Sequence, residues 1–167
     1  DKTGSAMGAR LMKKWITRPL RSMERLTERL DSVEWFRADV FVRRETELFL
    51  HGIADIERLI GRVTMERANA RDLLSLRTSL EQFPRIRKTL GNSSPPPLLQ
   101  SLLDQLQGFD EISAAIAERI VDDPPLSIRE GGIIREDFST QLDDLVSAST
   151  NGKQWIAGLQ QQERERT

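Results

Sequence analysis

Few residues in this 167-residue sequence are of types that do chemistry. His51 is the sole histidine and cysteine is absent, which removes disulfides, thiolate nucleophiles and cysteine-ligated zinc. A lone imidazole on an apolar segment reads as a structural histidine, packed or partly exposed, rather than as a base or a ligand. Asp122-Asp123 and Asp143-Asp144 offer paired carboxylates, the groups used for acid–base work or for hard cations. The first pair precedes Pro124-Pro125 in a helix-stop position. The second lies on the polar side of an amphipathic segment beside Leu142 and Leu145, so termination and solvation account for both. Gly131-Gly132 matches neither GxxxxGK followed by Ser or Thr nor GxGxxG, and is no phosphate cradle. Trp15, Trp35 and Trp155 sit among helical positions and read as packing anchors rather than base-stacking platforms. The expected inventory is therefore no catalytic, cofactor-binding or metal residue, and no position assigned to DNA contact.

The composition suits a helical protein with much exposed surface: 38% apolar and 31% charged, with a formal net charge of −1. No apolar run approaches the length of a membrane span, and no signal-peptide pattern is present. Charge is distributed unevenly. Residues 1–90 hold 19 Lys/Arg against 13 Asp/Glu, and residues 91–167 hold 6 against 13. The basic half, with Lys13, Lys14, Arg18, Arg21, Arg25 and Arg29, could neutralise nucleic-acid phosphates. Pro19 splits that cluster between two helices, and an ordinary solvated surface is the plainer reading. A first residue of Asp and a charged final run suggest an excised fragment.

The spacing predicts a succession of helices. Met7, Leu11 and Trp15 mark the first, capped by Thr3 or Ser5 and ended by Pro19. Ser22 caps a second carrying Leu26, Leu30 and Val33. A third covers 40–50, and a fourth repeats Ile53, Ile56, Ile60 and Val63. Asn69 and Asp72 form a capping-box pair for a fifth, running through Leu73, Leu76, Leu80 and Phe83 until Pro84 interrupts it. GNSSPPP at 91–97 reads as an extended polyproline linker. Helices over 98–107 and 109–120 follow. In DDPPLSIREGGIIR (122–135), Leu126 and Ile128 alternate with polar residues and Ile133 and Ile134 follow the glycines, predicting a short β-hairpin at about 126–135. From Glu136 a long helix runs to the end, ~45 Å if continuous, with Asn151-Gly152 as its weak point.

Four collinear segments resemble the bacterial MutS DNA mismatch-repair proteins: TGSAMGARLMKKWITRPL, IADIERLIGRVTMERANARDLLSLRTSL, IVDDPPLSIREGGIIREDFSTQLDDL and NGKQWIAGLQQQERERT. They stand in the family's order and spacing across nearly the whole chain, and correspond to its central core, or lever, region. Phe138 departs from the tyrosine common there. The resemblance implies a structural connector between an ATPase and a DNA clamp, neither of which is in this sequence. It also implies a parent protein that uses ATP and Mg, binds mismatched double-stranded DNA as a homodimer, works with MutL, has no membrane association, and is cytoplasmic and nucleoid-associated. The family's mismatch-wedging Phe-x-Glu motif and Walker loop are absent, so no binding residue carries over.

The fold expected is mainly α: an irregular multi-helix bundle with one short β-hairpin and a long C-terminal lever helix. Its divisions are a helical core over 1–135, with the linker at 91–97, and a long helix over 136–167. Two other readings stand beside the connector: a non-specific DNA-backbone-binding module using the basic half, and a generic helical interaction domain. Apolar faces around Leu142, Leu145, Trp155 and Leu159 predict self-association or fraying of the terminal helix.

Overall fold

A computed structural model describes residues 2–166, with the backbone alone for 153–163, 165 and 166. Nine α-helices occur among the described residues. They are α1 (Ala6–Thr17), α2 (Met23–Ala38), α3 (Val40–His51), α4 (Ile56–Thr64), α5 (Ala70–Leu80), α6 (Gln82–Gly91), α7 (Pro97–Gln105), α8 (Asp110–Arg119) and α9 (Thr140–Arg166). They fall into two compact units, residues 1–133 and 134–167.

Helix starts follow local chemistry. The side chains of Ser5, Ser22, Asp39, Asp55 and Asn69 each accept from a backbone N–H in the first turn that follows, satisfying donors that have no intrahelical partner. At α5 the capping box is reciprocal: Asp72 N–H donates to Asn69 Oδ1 and Asn69 N–H to Asp72 Oδ2, both at 2.9 Å. At α7 the start is set by Pro97, which occupies the first helical position, where a missing N–H costs nothing. Residues 92–96 are thus a short connection inside the first unit. Trp35 Nε1 holds it to α2 by donating to Ser93 O at 3.2 Å.

The fifth predicted helix is in fact two. Pro84 has no N–H for the Leu80 carbonyl, and its ring would clash with that carbonyl in a continuous helix. The helix accordingly breaks at Glu81, three residues ahead of the proline, and a new helix, α6, carries Pro84 in its first turn. Ile86 and Leu90 then lie on one face of α6. They form the buried core with Val42 of α3 and Leu103 of α7, and Trp35, Phe36, Phe49, Ile53 and Leu106 pack around it. Trp35 and Phe36 meet edge to face with centroids 4.9 Å apart, and Phe83 meets Phe109 likewise at 5.2 Å. α5 packs along α8. Ser79 of α5 is fully buried. Its Oγ donates to Ser75 O at 2.6 Å and accepts Ala54 N–H at 3.0 Å, fixing the α3–α4 connection.

The predicted β-hairpin at 126–135 does not form, and no strand occurs among the described residues. Ile128–Glu130 is a 3-10 turn with its own capping box. Ser127 Oγ accepts Arg129 N–H at 3.2 Å, and Glu130 Oε1 accepts Ser127 N–H at 3.1 Å. The Ser127-x-x-Glu130 spacing is itself a helix-start signature, and it prevails over the apolar alternation of Leu126 and Ile128. Gly131 and Gly132 follow at φ +74° and +68°, a backbone that side-chain-bearing residues rarely adopt. They turn the chain so that Val121 N–H reaches Ile133 O at 3.0 Å.

In the second unit α9 is helical without interruption through Asn151-Gly152. Its 27 residues correspond to ~40 Å at 1.5 Å per residue. Ser139 caps it, and Asp143 Oδ2 reaches back to accept the Asp137 N–H at 3.1 Å. The expected apolar contributions of Trp155 and Leu159 concern side chains outside the described residues.

Ile86→Ala, a truncation at the centre of the buried cluster, should lower unfolding stability by about 2–4 kcal/mol. Phe41→Ala, on an exposed position of α3, should change it by less than about 0.5 kcal/mol. Urea unfolding of both variants, followed by far-UV circular dichroism, checks the contrast.

Candidate functional site

The residues of possible chemistry lie apart. His51 is exposed at the C-terminal end of α3, beside Gly4. Among the described residues no group of three or more His, Asp or Glu side chains is placed to hold a metal. An open groove of about 450 Å³ runs between α3 and α6, lined in part by Asp39, Glu45, Arg85 and Lys88. Its carboxylates are engaged in architecture: Asp39 Oδ1 caps Val42 N–H at 2.9 Å, and Glu45 Oε2 accepts the Thr89 hydroxyl at 3.2 Å. None of these groups makes a nucleophile and base pair.

What the structure does assemble is a set of charged ties between helices. Asp122 and Asp123, read from sequence as helix-stop carboxylates, both face α5. Arg77 Nη1 donates to Asp122 Oδ1 at 3.3 Å, and Arg71 Nη2 lies 3.7 Å from Asp123 Oδ1. Arg71 Nε also donates to the Pro124 carbonyl at 3.1 Å, and Pro124 is fully buried. The DDPP stretch is therefore a strap: two carboxylates and a carbonyl held by two arginines of α5, with a proline ring plugged into the interior. Arg77 is shared with Glu81 at 2.8 Å, and the two acidic partners hold its guanidinium above its ordinary pKa, Glu81 more strongly than Asp122.

The second tie was not legible as a pair. Arg10 of α1 sends Nη1 and Nη2 to the two oxygens of Asp55 at 2.8 and 2.7 Å, and Nε to Glu57 Oε2 at 2.9 Å. This planar fork matches two carboxylates at once, which a lysine could not do. Asp55 is also the N-cap of α4, accepting Arg58 N–H at 3.2 Å. The only sequence signal was the Asp55-x-Glu57 spacing at a helix start; its partner lies 45 residues away.

The cations Lys13, Lys14, Arg18, Arg21 and Arg25 are exposed, with no ion pair among the described residues. Arg29 lies over the Trp15 ring, 3.6 Å from its centroid. Trp15 and Trp35 thus act as anchors between elements; the Trp155 side chain lies outside the described residues.

With these placements in hand, similarity to known proteins gives the set of ties its context. The profile of MutS domain III matches residues 1–167. The chain belongs to that family. Its sequence is 42% identical over 168 residues to the DNA mismatch repair protein MutS of Methanosarcina mazei, covering 99% of this chain and 19% of that protein. It is 42% identical over 170 residues to the protein of the same name from Methanococcoides burtonii, covering all of this chain and again 19% of the relative. For Staphylococcus aureus strain JH9 the identity is 41% over 167 residues, with the same coverage. This MutS domain III chain therefore spans about a fifth of the length of the curated relatives it matches. No helix among its described residues is long and apolar enough to cross a membrane.

The Arg10 fork sets a titration. The hydrogen bond from Arg10, helped by the Arg58 N–H and opposed by desolvation, lowers the Asp55 carboxyl from its ordinary 3.8 to about 2. Because the folded pKa lies below the unfolded one, the tie contributes fully above about pH 4 and is lost as the pH falls toward 2. A carboxyl-carbon NMR titration should place the Asp55 midpoint near 2. In Arg10→Ala it should move back most of the way to the ordinary range; an unmoved midpoint would exclude Arg10 as the cause.

Proposed function

We propose that this chain is the connector of a DNA mismatch-recognition ATPase, a core module that couples an ATPase to a DNA clamp and has no catalysis of its own. The observation that carries this reading is the match to MutS domain III over the whole chain, combined with the uninterrupted helix α9. A helix ~40 Å long can carry a rigid-body shift between distant sites when the elements at its ends have discrete packed arrangements. The parent protein, on this reading, binds mispaired double-stranded DNA as a homodimer, uses ATP and Mg in a portion beyond this chain, acts with MutL, and works in the cytoplasm at the nucleoid. Large apolar side chains that stand exposed here, such as Ile16, Met23, Phe41 and Leu145, suit a module whose faces are covered by other parts of a longer protein.

The test is a break in α9 made in the full-length parent. Ala148→Pro removes a hydrogen bond to the Asp144 carbonyl in the helix interior, at a cost of about 3 kcal/mol or more. Ala148→Glu at the same exposed position keeps the helix. The proline variant should still bind mismatched duplex but lose ATP-driven release from it, whereas the glutamate variant should release normally. Normal release by both variants would defeat the coupling role.

A competing reading, phosphate-backbone binding, rests on the exposed cations from Lys13 to Arg25. Fluorescence anisotropy of this chain with matched and mismatched duplexes, titrated from low to physiological salt, separates the two. The connector reading predicts weak or no binding to either duplex. Equal, salt-sensitive binding would give the basic half a phosphate-contacting role, and a preference for the mismatch would place recognition in residues assigned here to scaffolding.

A further inference from the structure

Helix α1 is attached to the first unit in an unusual way. None of its residues is buried, and it packs extensively against no other helix. Most of its large apolar residues remain in solvent: Leu11, Met12 and Ile16 are 45%, 46% and 73% exposed, and only Met7 is half-buried. Its side-chain ties to other helices are cationic. Arg10 grips Asp55 and Glu57 at the start of α4, and the Trp15 ring receives Arg29 of α2. By contrast, α3, α6 and α7 share buried apolar side chains, so opening any of them exposes core to water. Elements that open at low cost are those with few buried apolar contacts and exposed ties.

We propose that α1 is a charge-latched strap, held to the start of α4 by the Arg10 fork, that opens as a unit while the α3–α6–α7 core stays folded. The latch point is shared. One Asp55 oxygen accepts both Arg10 Nη2 and the Arg58 N–H, so the carboxylate that holds the strap also caps α4. Glu57, in the first turn of α4, adds a second carboxylate to the same guanidinium. The charged groups gathered at this point are Arg10 from α1 and Asp55, Glu57 and Arg58 from α4. Opening therefore depends on salt, which weakens exposed charge pairs more than apolar packing, and strap and cap are separable by substitution. Asn caps a helix as well as Asp does but carries no charge for the fork.

Amide hydrogen exchange on the whole chain tests this without any variant. On raising salt from low ionic strength to about 0.5 M, α1 amides should lose protection, while amides of α6 around Ile86 and Leu90 should not change. Arg10→Ala should speed α1 exchange by about tenfold or more at low salt and remove most of its salt dependence. Asp55→Asn should release α1 but leave the first turn of α4 protected, whereas Asp55→Ala should expose both. Two outcomes would overturn the proposal. One is α1 and α6 amides exchanging together under every condition, which makes α1 part of the global unfolding unit. The other is α1 protection that ignores both salt and Arg10→Ala, which makes its apolar contacts the holding force.

Discussion

The break between α5 and α6 is the constraint on which the first unit depends. A single amide hydrogen, missing at Pro84, leaves the Leu80 carbonyl without its intrahelical partner, and the helical run from Ala70 to Gly91 divides at Glu81. Each half then acquires its own neighbour. α5 lies along α8, while α6 turns Ile86 and Leu90 toward Val42 and Leu103. Had the run remained one straight rod, its apolar residues would have faced a single side, and one helix could not have joined both packings.

Around that core, charge and hydrogen bonds substitute for apolar burial. The buried apolar residues are few and mostly aliphatic. Connections are pinned by polar groups: Ser79 to Ala54, the Trp35 indole to Ser93, and Arg71 to the Pro124 carbonyl. Among the described residues no buried side-chain nitrogen or oxygen lacks a partner, so these pins avoid the penalty of an unpaired buried group. Most of the ion pairs are partly or largely exposed and individually weak. Their role is directional: a forked arginine accepts one arrangement of two carboxylates and rejects neighbouring ones.

Where information was local, the sequence was readable. The caps at Ser5, Ser22 and Asn69, the apolar spacing of α1 and α4, and the mainly helical character all depend on residues within one or two turns of each other. The hairpin failed for a local reason too. Alternation at Leu126 and Ile128 and the paired glycines favour a hairpin, Ser127-x-x-Glu130 favours a helical turn, and the side-chain caps decide the backbone. Helix α6 is hidden in the sequence because Pro84 marks an end, yet its effect falls four residues upstream and it is tolerated in a new first turn. The ties of Arg10 to Asp55 and of Arg77 to Asp122 join positions 45 residues apart. Periodicity carries no information at that range, and with 31% charged residues many pairings fit the composition equally well.

The second unit raises a different question: which of its own residues make α9 helical. Its beginning is well determined, with Ser139 capping Leu142 and Asp143 accepting the Asp137 N–H, the latter placing a carboxylate at the positive end of the helix dipole. Its middle contains Asn151-Gly152, a weak pair of helix formers, yet the backbone passes through them without a turn. Nucleation is the expensive step of helix formation, and each added residue costs little once it is made. A firmly capped start can therefore carry the helix across glycines that cost roughly 1 kcal/mol each. The apolar positions Leu145 and Val146, both mostly exposed, do not stabilise the helix until another surface covers them. The start of α9 is thus encoded in its own first residues, and Leu145 and Val146 leave an apolar strip for another surface to cover.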